Sequence, residues 1–450
     1  MTQELEQLTE DAASRIKSLE HGERIRIISH YDADGITAAA IISLAVQRAG
    51  YQFHVTLMRN PFYKGLARLK EEQNNFIIFT DMGSGQIEYI ESLNTPSLII
   101  DHHQVVKQQT PDHILQINAN LCGINGNHEA CGATLTYAVA KALNPNNTDL
   151  SSLALAGATG DKQYIGGFTG FNKHVIDDAI KNEIVTSFSG LKLEDASLKK
   201  AISHSIEPFF PGYSGHTEET KAFLHELHID PNSTYSQLSD EKRKTLHSSL
   251  LLLLLKRGCE SNILETVVRE RYIADQTFGE LERCADILDA CGKFGRREIG
   301  LAVCFGDQQA YQKALLYEKE FKQEVLQELL TIEKEGIKQK KTFRFFYAKN
   351  SSLGGVIGGI AINFLLDKKK PLLSIVRKTD ELHISCRGNQ FLVNNGLDLG
   401  SAMNQVAKDL DGHGGGHKIA AGATIPLKHE EQFLKGVDMI LTKQLIKERK

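Results

Sequence analysis

Four short segments concentrate side chains able to hold cations or move protons: SHYDADG (29–35), TDMGSG (80–85), IDHHQ (100–104) and ATGDKQY (158–164). They contribute His30, Asp32, Asp34, Asp81, Asp101, His102, His103 and Asp161. Read as strand ends, all four fall on one rim of an open α/β sheet, which is where such folds bind ligands. Residues two apart in a strand share a face, so Asp32 and Asp34 would aim at one point, with Gly35 letting the next helix start close by. Carboxylates gathered this densely repel one another and desolvate poorly unless cations neutralise them. The simplest resolution is a pair of divalent metal ions. A mixed carboxylate and imidazole set suits Mn²⁺ or another first-row ion better than Ca²⁺ or a purely oxygen-bound Mg²⁺. Two ions about 3.5–4 Å apart would clamp a phosphate, generate hydroxide from a shared water and stabilise the leaving oxygen.

Taken singly, each segment has a plainer explanation. D-A-D-G is a common turn, Asp81 could cap a helix, and Asp161 after A-G-A-T-G could be a loop acid. No G-K-S/T follows those glycines, so a P-loop is excluded. The joint occurrence favours chemistry.

The elements needed to position these groups are legible. Leu5, Leu8, Ala12, Ile16 and Leu19 recur at helical spacing. β-type runs at 24–30, 51–58, 75–81 and 97–101 then alternate with helical ones such as the Ala-rich stretch from Thr37. That rhythm predicts an α/β fold with a doubly wound parallel sheet. From about Phe171 to Cys304 it gives way to mostly helical sequence, predicting an inserted helical module. Phe321, Val325, Leu329 and Ile332 lie on one face of a proline-free stretch, Tyr311 to Gln339, read as one long connecting helix. After Lys341, TFRFFYA, PLLSIVRK and ELHISCR mark a second, smaller α/β domain. The boundaries expected are 1–204, 205–275, 276–340 and 341–450.

Composition narrows the class. A formal net charge of −4 over 450 residues argues against a globally basic binder while leaving room for a local basic groove. Seven cysteines without a C-x-x-C pair, and a polar, acidic start, point to a reducing, cytoplasmic setting. Cys122, His128 and Cys131 lack zinc-site spacing. Leu250–Leu255 is read as a buried helix segment, too short to span a bilayer and followed by Lys256 and Arg257. Hence no membrane association is expected. In the last domain, Gly414, Gly415 and Gly416 would let backbone N–H groups approach a phosphate, Arg387 offers a planar fork, and His417 a ring. Lys293, Arg296 and Arg297 are candidates to line the approach of an anionic substrate.

This ordered set resembles the DHH phosphoesterase superfamily: D-x-D-G at 32–35, a strand-end Asp81, the triplet Asp101-His102-His103, and Asp161. Gly354-Gly355, Gly358-Gly359, SCRGN around Arg387 and GHGGGHKIAAG (412–422) resemble the associated DHHA1 domain. ADILDACGKFGRREIGLAVCFGD (285–307) is similar to a segment of RecJ-like single-strand exonucleases, most of all the archaeal group that includes GINS-associated nuclease. Departures are His30, where bacterial RecJ usually has Asp, and Ser385-Cys386-Arg387-Gly388, where it has S-A-R-S.

The resemblance implies a metal-dependent exonuclease on single-stranded DNA or RNA, in replication or repair. Asp32, Asp34, Asp81, His102 and Asp161 would hold two ions, Mn²⁺ or alternatively Mg²⁺ or Co²⁺, with Asp81 bridging. His103 would contact the scissile phosphate, Asp101 would orient the adjacent imidazole, and His30 would be an extra ligand, a phosphate contact, or simply a hydrogen-bonded ring. Arg387, Gly414–Gly416 and His417 would grip the strand, and the helical insertion would dock a GINS-like replisome protein. Competing readings are a phosphodiesterase of short oligonucleotides, pAp or cyclic dinucleotides, and a replicative-helicase scaffold with vestigial chemistry. A family II inorganic pyrophosphatase is disfavoured because it lacks the glycine-histidine element.

Overall fold

The computed structural model describes residues 2–58, 66–277 and 279–446. The chain divides into two compact units, Met1–Gly190 with Glu270–Lys319 and Leu191–Arg269 with Glu320–Lys450.

The first unit is organised by five parallel strands: β1 (Arg24–His30), β2 (Gln52–Met58), β3 (Ile77–Thr80), β4 (Ser97–Asp101) and β5 (Ile114–Asn118), in the order β2-β1-β3-β4-β5. Both faces are covered. Ile27, Ile78, Leu98 and Ile100 join one apolar cluster with the helices Gln3–Lys17, Ala33–Arg48 and Gly132–Leu143, while Ile28, Ile77, Phe79 and Ile99 join another with Met82, Ile87 and Ile90. Two-sided burial explains why β3 and β4 read as unbroken apolar runs. This is the expected doubly wound α/β sheet. With β2 to one side of β1 and β3 to the other, the crevice outside the carboxyl ends of β1 and β3 is the ligand position of this strand order.

Some local expectations need correction. The helix placed from Thr37 begins at Ala33, because the Asp32 side chain caps it by accepting from Gly35 N at 3.1 Å. Asp32 and Asp34 therefore converge through the first turn of a helix, not by strand alternation. Strand β5 was not expected. Its buried Gln116 and Asn118 dilute the apolar signal, and their amide nitrogens donate to Ser84 Oγ at 3.2 and 2.8 Å. Short strands at Thr186–Leu191, Val268–Ala274 and Gly279–Glu280 interrupt the stretch read as helical.

In the second unit, Leu250–Leu255 lies in the helix Asp240–Lys256 but is not uniformly buried: Leu250 and Leu254 are fully buried, whereas Leu252 and Leu255 are 52% and 56% exposed. A straight helix cannot bury adjacent positions on a single face. The long helix runs Gln308–Glu335 with Phe321, Val325, Leu329 and Ile332 buried, as their spacing predicts. C-terminal to it, six strands form a mixed sheet whose central members are Leu372–Arg377, Glu381–Arg387 and Ala420–Pro426. One face is packed by the helices Leu399–Lys408 and Glu430–Ile446 through Ile384, Cys386, Met403 and Phe433.

All seven cysteines are free thiols, and among the described residues no helix is long and apolar enough to cross a membrane.

Candidate metal centre

The site grows from the carboxyl ends of β1, β3 and β4. His30 ends β1, and its Nδ1 lies 2.8 Å from Asp32 Oδ2 and 3.6 Å from Asp81 Oδ2. Asp34 is buried, and its two oxygens accept the amides of Gly132 (2.7 Å) and Ala133 (2.8 Å) at the start of the helix Gly132–Leu143. Those N–H groups have no partner within their own helix, so the carboxylate both satisfies them and is fixed by them. Asp81 follows β3 at φ 54°, a left-handed conformation that among side-chain-bearing residues Asp and Asn tolerate best. Its amide donates to Ile100 O at 2.9 Å, anchoring it between β3 and β4.

The His pair divides its work. His102 Nδ1 lies 2.6 Å from Gly126 O, which leaves Nε2 aimed at carboxylates: Asp81 Oδ1 at 3.2 Å, Asp161 Oδ2 at 3.3 Å and Asp34 Oδ2 at 3.6 Å. Asp101 is fully buried and accepts the amides of His102, His103 and Ser84 at 2.8, 3.1 and 2.9 Å. The ring it orients is that of His103, at 2.8 Å from Nδ1, and not that of the directly adjacent His102. His103 stays about half exposed, its side chain at 48%. Asp161, expected at a strand end, instead caps the C-terminus of the helix Ser151–Gly160. Every predicted carboxylate and imidazole of this unit is thus brought to one place.

The donor set fits cations. His30–Asp32–Asp81, Asp81–His102–His103 and Asp34–His102–Asp161 each offer three ligand atoms within 4.8 Å of one another, and Asp81 belongs to two of these groups. Asp81 Oδ1 is a buried atom that faces the His102 ring at 3.2 Å and receives no well-aligned hydrogen bond among the described residues. Without cations the cluster is strained electrostatically. Burial, then the Asp81 and Asp161 charges, push the Asp34 carboxyl well up, and burial with the Asp81 and Asp32 charges lifts Asp161 to about 7 against the opposing pull of His102. Burial opposes protonation of His103, but the hydrogen bond and charge of Asp101 raise it to about 9. Cys122 and Cys131 are buried and enter none of the cation-capable groups among the described residues.

Sequence reasoning missed the residues that make room for this cluster and hold it. A Cβ on Gly132 would stand 2.6 Å from Asp81 Cβ and 2.9 Å from Asp34 Oδ2, and one on Gly157 would stand 2.7 Å from Asp34 Oδ1. No spacing rule marks such glycines. Asp289, from the helix Leu281–Lys293, accepts the Ala33 amide at 2.8 Å, and Gly292 and Lys293 of the same helix pack on Tyr31. Replacing Asp289 by Ala is expected to cost about 1–3 kcal/mol through the abandoned buried amide and to weaken Mn²⁺ binding about 10–100-fold through the loosened Asp32–Asp34 turn. Thermal melts and a Mn²⁺ titration would check both, and wild-type affinity would remove Asp289 from the site.

A family model described as "DHH family, N-terminal domain" matches residues 24–159, and one described as "DHHA1 domain" matches 343–443. An uncharacterized protein of Methanocaldococcus jannaschii is 32% identical, the alignment covering 98% of each chain. The chain belongs to the DHH family. Solved structures share the fold at 15% identity: CDC45 from Entamoeba histolytica (TM-score 0.66, 97% of this chain and 98% of that one) and RecJ from Thermus thermophilus in complex with Mn²⁺ (TM-score 0.62, 97% of this chain). The chain spans only 55% of that Thermus RecJ, but 96% of another exonuclease RecJ bound to manganese, at TM-score 0.61.

In this DHH protein the remaining predicted residues separate. Lys293 lies in the first unit, its Nζ 3.2 Å from Tyr31 Oη, and Arg297 donates to Leu57 O at 2.9 Å while Arg296 stands over the Tyr317 ring. Arg387, Gly414–Gly416 and His417 belong to the DHHA1 domain. Arg387 ends its strand against the helix Gly354–Ile360, where a Cβ on Gly355 would stand 2.5 Å from its Nη2. The glycine triplet is a strand residue run paired with Ala421–Ala423, and its members differ. Gly414 and Gly416 are closely packed, with Met403 O and Ala420 O at 2.5 and 2.7 Å from a built Cβ, whereas Gly415 has open space. His417 is exposed at the following turn.

Proposed function

We propose that this DHH protein is a metal-dependent phosphodiesterase acting as an exonuclease on single-stranded DNA or RNA. The observation that carries the reading is the convergence of Asp32, Asp34, Asp81 and Asp161 around His102, with Asp34 and Asp81 buried, Asp32 and Asp161 partly so, and Asp81 shared between two groups. Since RecJ and CDC45 share the fold, the fold alone does not choose between hydrolysis and scaffolding. A scaffold has no need to retain such a costly cluster.

In this reading, those five residues hold two divalent cations, Mn²⁺ in the first instance. When bound, such ions supply charge neutralisation and an activated water for in-line attack on phosphorus. Asp34 keeps its orientation through the Gly132 and Ala133 amides, and His102 through Gly126 O. His103, half exposed and favouring its protonated form through Asp101, stands ready to meet a non-bridging phosphate oxygen. His30 sits beside Asp32 and Asp81, placed for a phosphate contact or as a further ligand. In the DHHA1 domain, Arg387, Gly415 and His417 bind the strand. A replisome partner of the GINS kind would dock on the insertion, where Leu252 and Leu255 are exposed. Changing both to Ser would then abolish co-elution with that partner.

The test is cleavage of end-labelled single-stranded DNA and RNA with Mn²⁺, beside a dinucleotide and a cyclic dinucleotide. Stepwise shortening of long strands is expected. Cleavage of the small substrates alone would move the protein to short-oligonucleotide hydrolysis, and inertness towards all of them would favour a scaffold. In single-turnover kinetics Arg387→Ala should raise the strand concentration for half-maximal rate about tenfold or more, at an unchanged maximal rate. A slowed maximal rate with unchanged affinity would count against a binding role.

A further inference from the structure

Three segments of the C-terminal domain meet at one end of its sheet. Arg387 pairs with Ala420, Gly388 N donates to Ile419 O at 2.7 Å, and Asn389 Nδ2 donates to Lys368 O at 3.1 Å. The turns at 367–369, 387–391 and 417–420 are therefore tied into one surface. That surface carries an exposed aromatic ring. Phe391 is 41% exposed, with the Lys368 ammonium 4.9 Å from its ring centroid, and Ile419 beside Gly388 is 39% exposed. Its backbone is nonetheless fixed. Asn389 caps the short helix Gln390–Asn394 by accepting from Leu392 N at 2.9 Å, and the Phe391 amide donates to Glu260 Oε1 at 3.2 Å.

An apolar ring on a fixed backbone in solvent, with an ammonium beside it, is an arrangement that takes a stacked base and its phosphate. Lys368 and Lys418 are exposed and Arg387 is half-buried, while of the acids Asp367 is already paired with Arg344 and Glu260 accepts the Phe391 amide. Excess positive charge around a flat apolar platform matches a nucleic-acid strand and not an acid-free apolar peptide. The sequence has no tryptophan, and around Phe391 it offers no neighbouring aromatic to suggest such a platform. It becomes visible only when strand pairing brings Phe391 beside the Arg387 and His417 turns.

We propose that Phe391 is a nucleobase-stacking subsite: a base of a single-stranded polynucleotide lies on the open face of its ring while Lys368 and Lys418 hold the adjoining phosphates. This rests on the single-strand reading above and adds to it a contact with the base, in addition to the backbone.

The experiment is fluorescence anisotropy of the full chain with labelled oligothymidylate in EDTA, so that nothing is hydrolysed, beside an oligonucleotide of equal length carrying abasic residues at both ends. Phe391→Ala is expected to weaken binding of the intact strand about tenfold, with Phe391→Trp restoring it. The abasic strand should bind the wild type less tightly by a similar factor and be indifferent to Phe391→Ala. Equal affinity of wild type and Phe391→Ala for the intact strand overturns the subsite, as does wild-type binding of the abasic strand at full affinity, while leaving the nuclease reading in place. Failure of the wild type to bind either strand overturns both. Because the ring is exposed, the melting temperature of Phe391→Ala should stay at the wild-type value, which keeps a folding defect distinguishable from a lost contact.

Discussion

Replacing Asp81 by Asn should abolish Mn²⁺-dependent cleavage, with a loss of at least about 4 kcal/mol of transition-state stabilisation, or roughly 10³-fold in rate. The effect is large because Asp81 belongs to two of the three cation-capable groups, so one neutralised carboxylate would disturb both proposed metal positions. Asn is the informative replacement, since it too accepts the left-handed backbone at φ 54° and nearly preserves the shape. Stability should separate the two states of the site. In the metal-free protein the substitution removes a buried charge that repels Asp34 and Asp161 but attracts the rings of His30, His102 and His103, so the melting temperature in EDTA should change little. The rise that Mn²⁺ gives the wild type should vanish. Calorimetry with and without Mn²⁺ reads both, and a variant that keeps its Mn²⁺-dependent rise and turnover would exclude Asp81 as a metal ligand. Asp34→Ala, by contrast, should lose cleavage and also stability. It abandons the Gly132 and Ala133 amides, so relief of repulsion is not its sole effect.

Gly132→Ala should be nearly as damaging as loss of a ligand, although no chemistry resides in the residue. Its new methyl would stand 2.6 Å from Asp81 Cβ and 2.9 Å from Asp34 Oδ2, closer than packed atoms approach. Neither neighbour can yield without moving a proposed ligand. We expect at least about 100-fold loss of activity, as for a disturbed metal-site support, and destabilisation of about 1–3 kcal/mol from overpacking. Gly85→Ala is the control, because a Cβ there meets nothing within 4 Å. Melting curves and Mn²⁺ titrations of the pair would decide. Wild-type metal affinity in Gly132→Ala would show that the helix Gly132–Leu143 shifts freely and does not fix Asp34.

The sequence by itself determined the class of fold and which residue types gather at its rim. Apolar runs at β1, β3 and β4 must be buried on both faces, which dictates a parallel sheet with helices around it, and acids directly after such runs must fall on its ligand-binding rim. The residue types then favour cations, since the carboxylates of Asp32, Asp34, Asp81, Asp101 and Asp161 outnumber the imidazoles of His30, His102 and His103. Tertiary structure decided how those groups are aimed. Asp32 and Asp34 converge because a helix starts at Ala33, Asp161 arrives from the end of another helix, and Asp101 steadies His103 while a carbonyl at Gly126 turns His102. Asp289, Gly132 and Gly157 were illegible for the same reason that Phe391 was. Their importance lies in contacts with residues far away in the chain, and such contacts leave no periodicity or spacing in the sequence. A local pattern records what a segment must bury, whereas the partner that makes a buried amide, a missing methyl or an exposed ring matter is fixed only when distant segments pack.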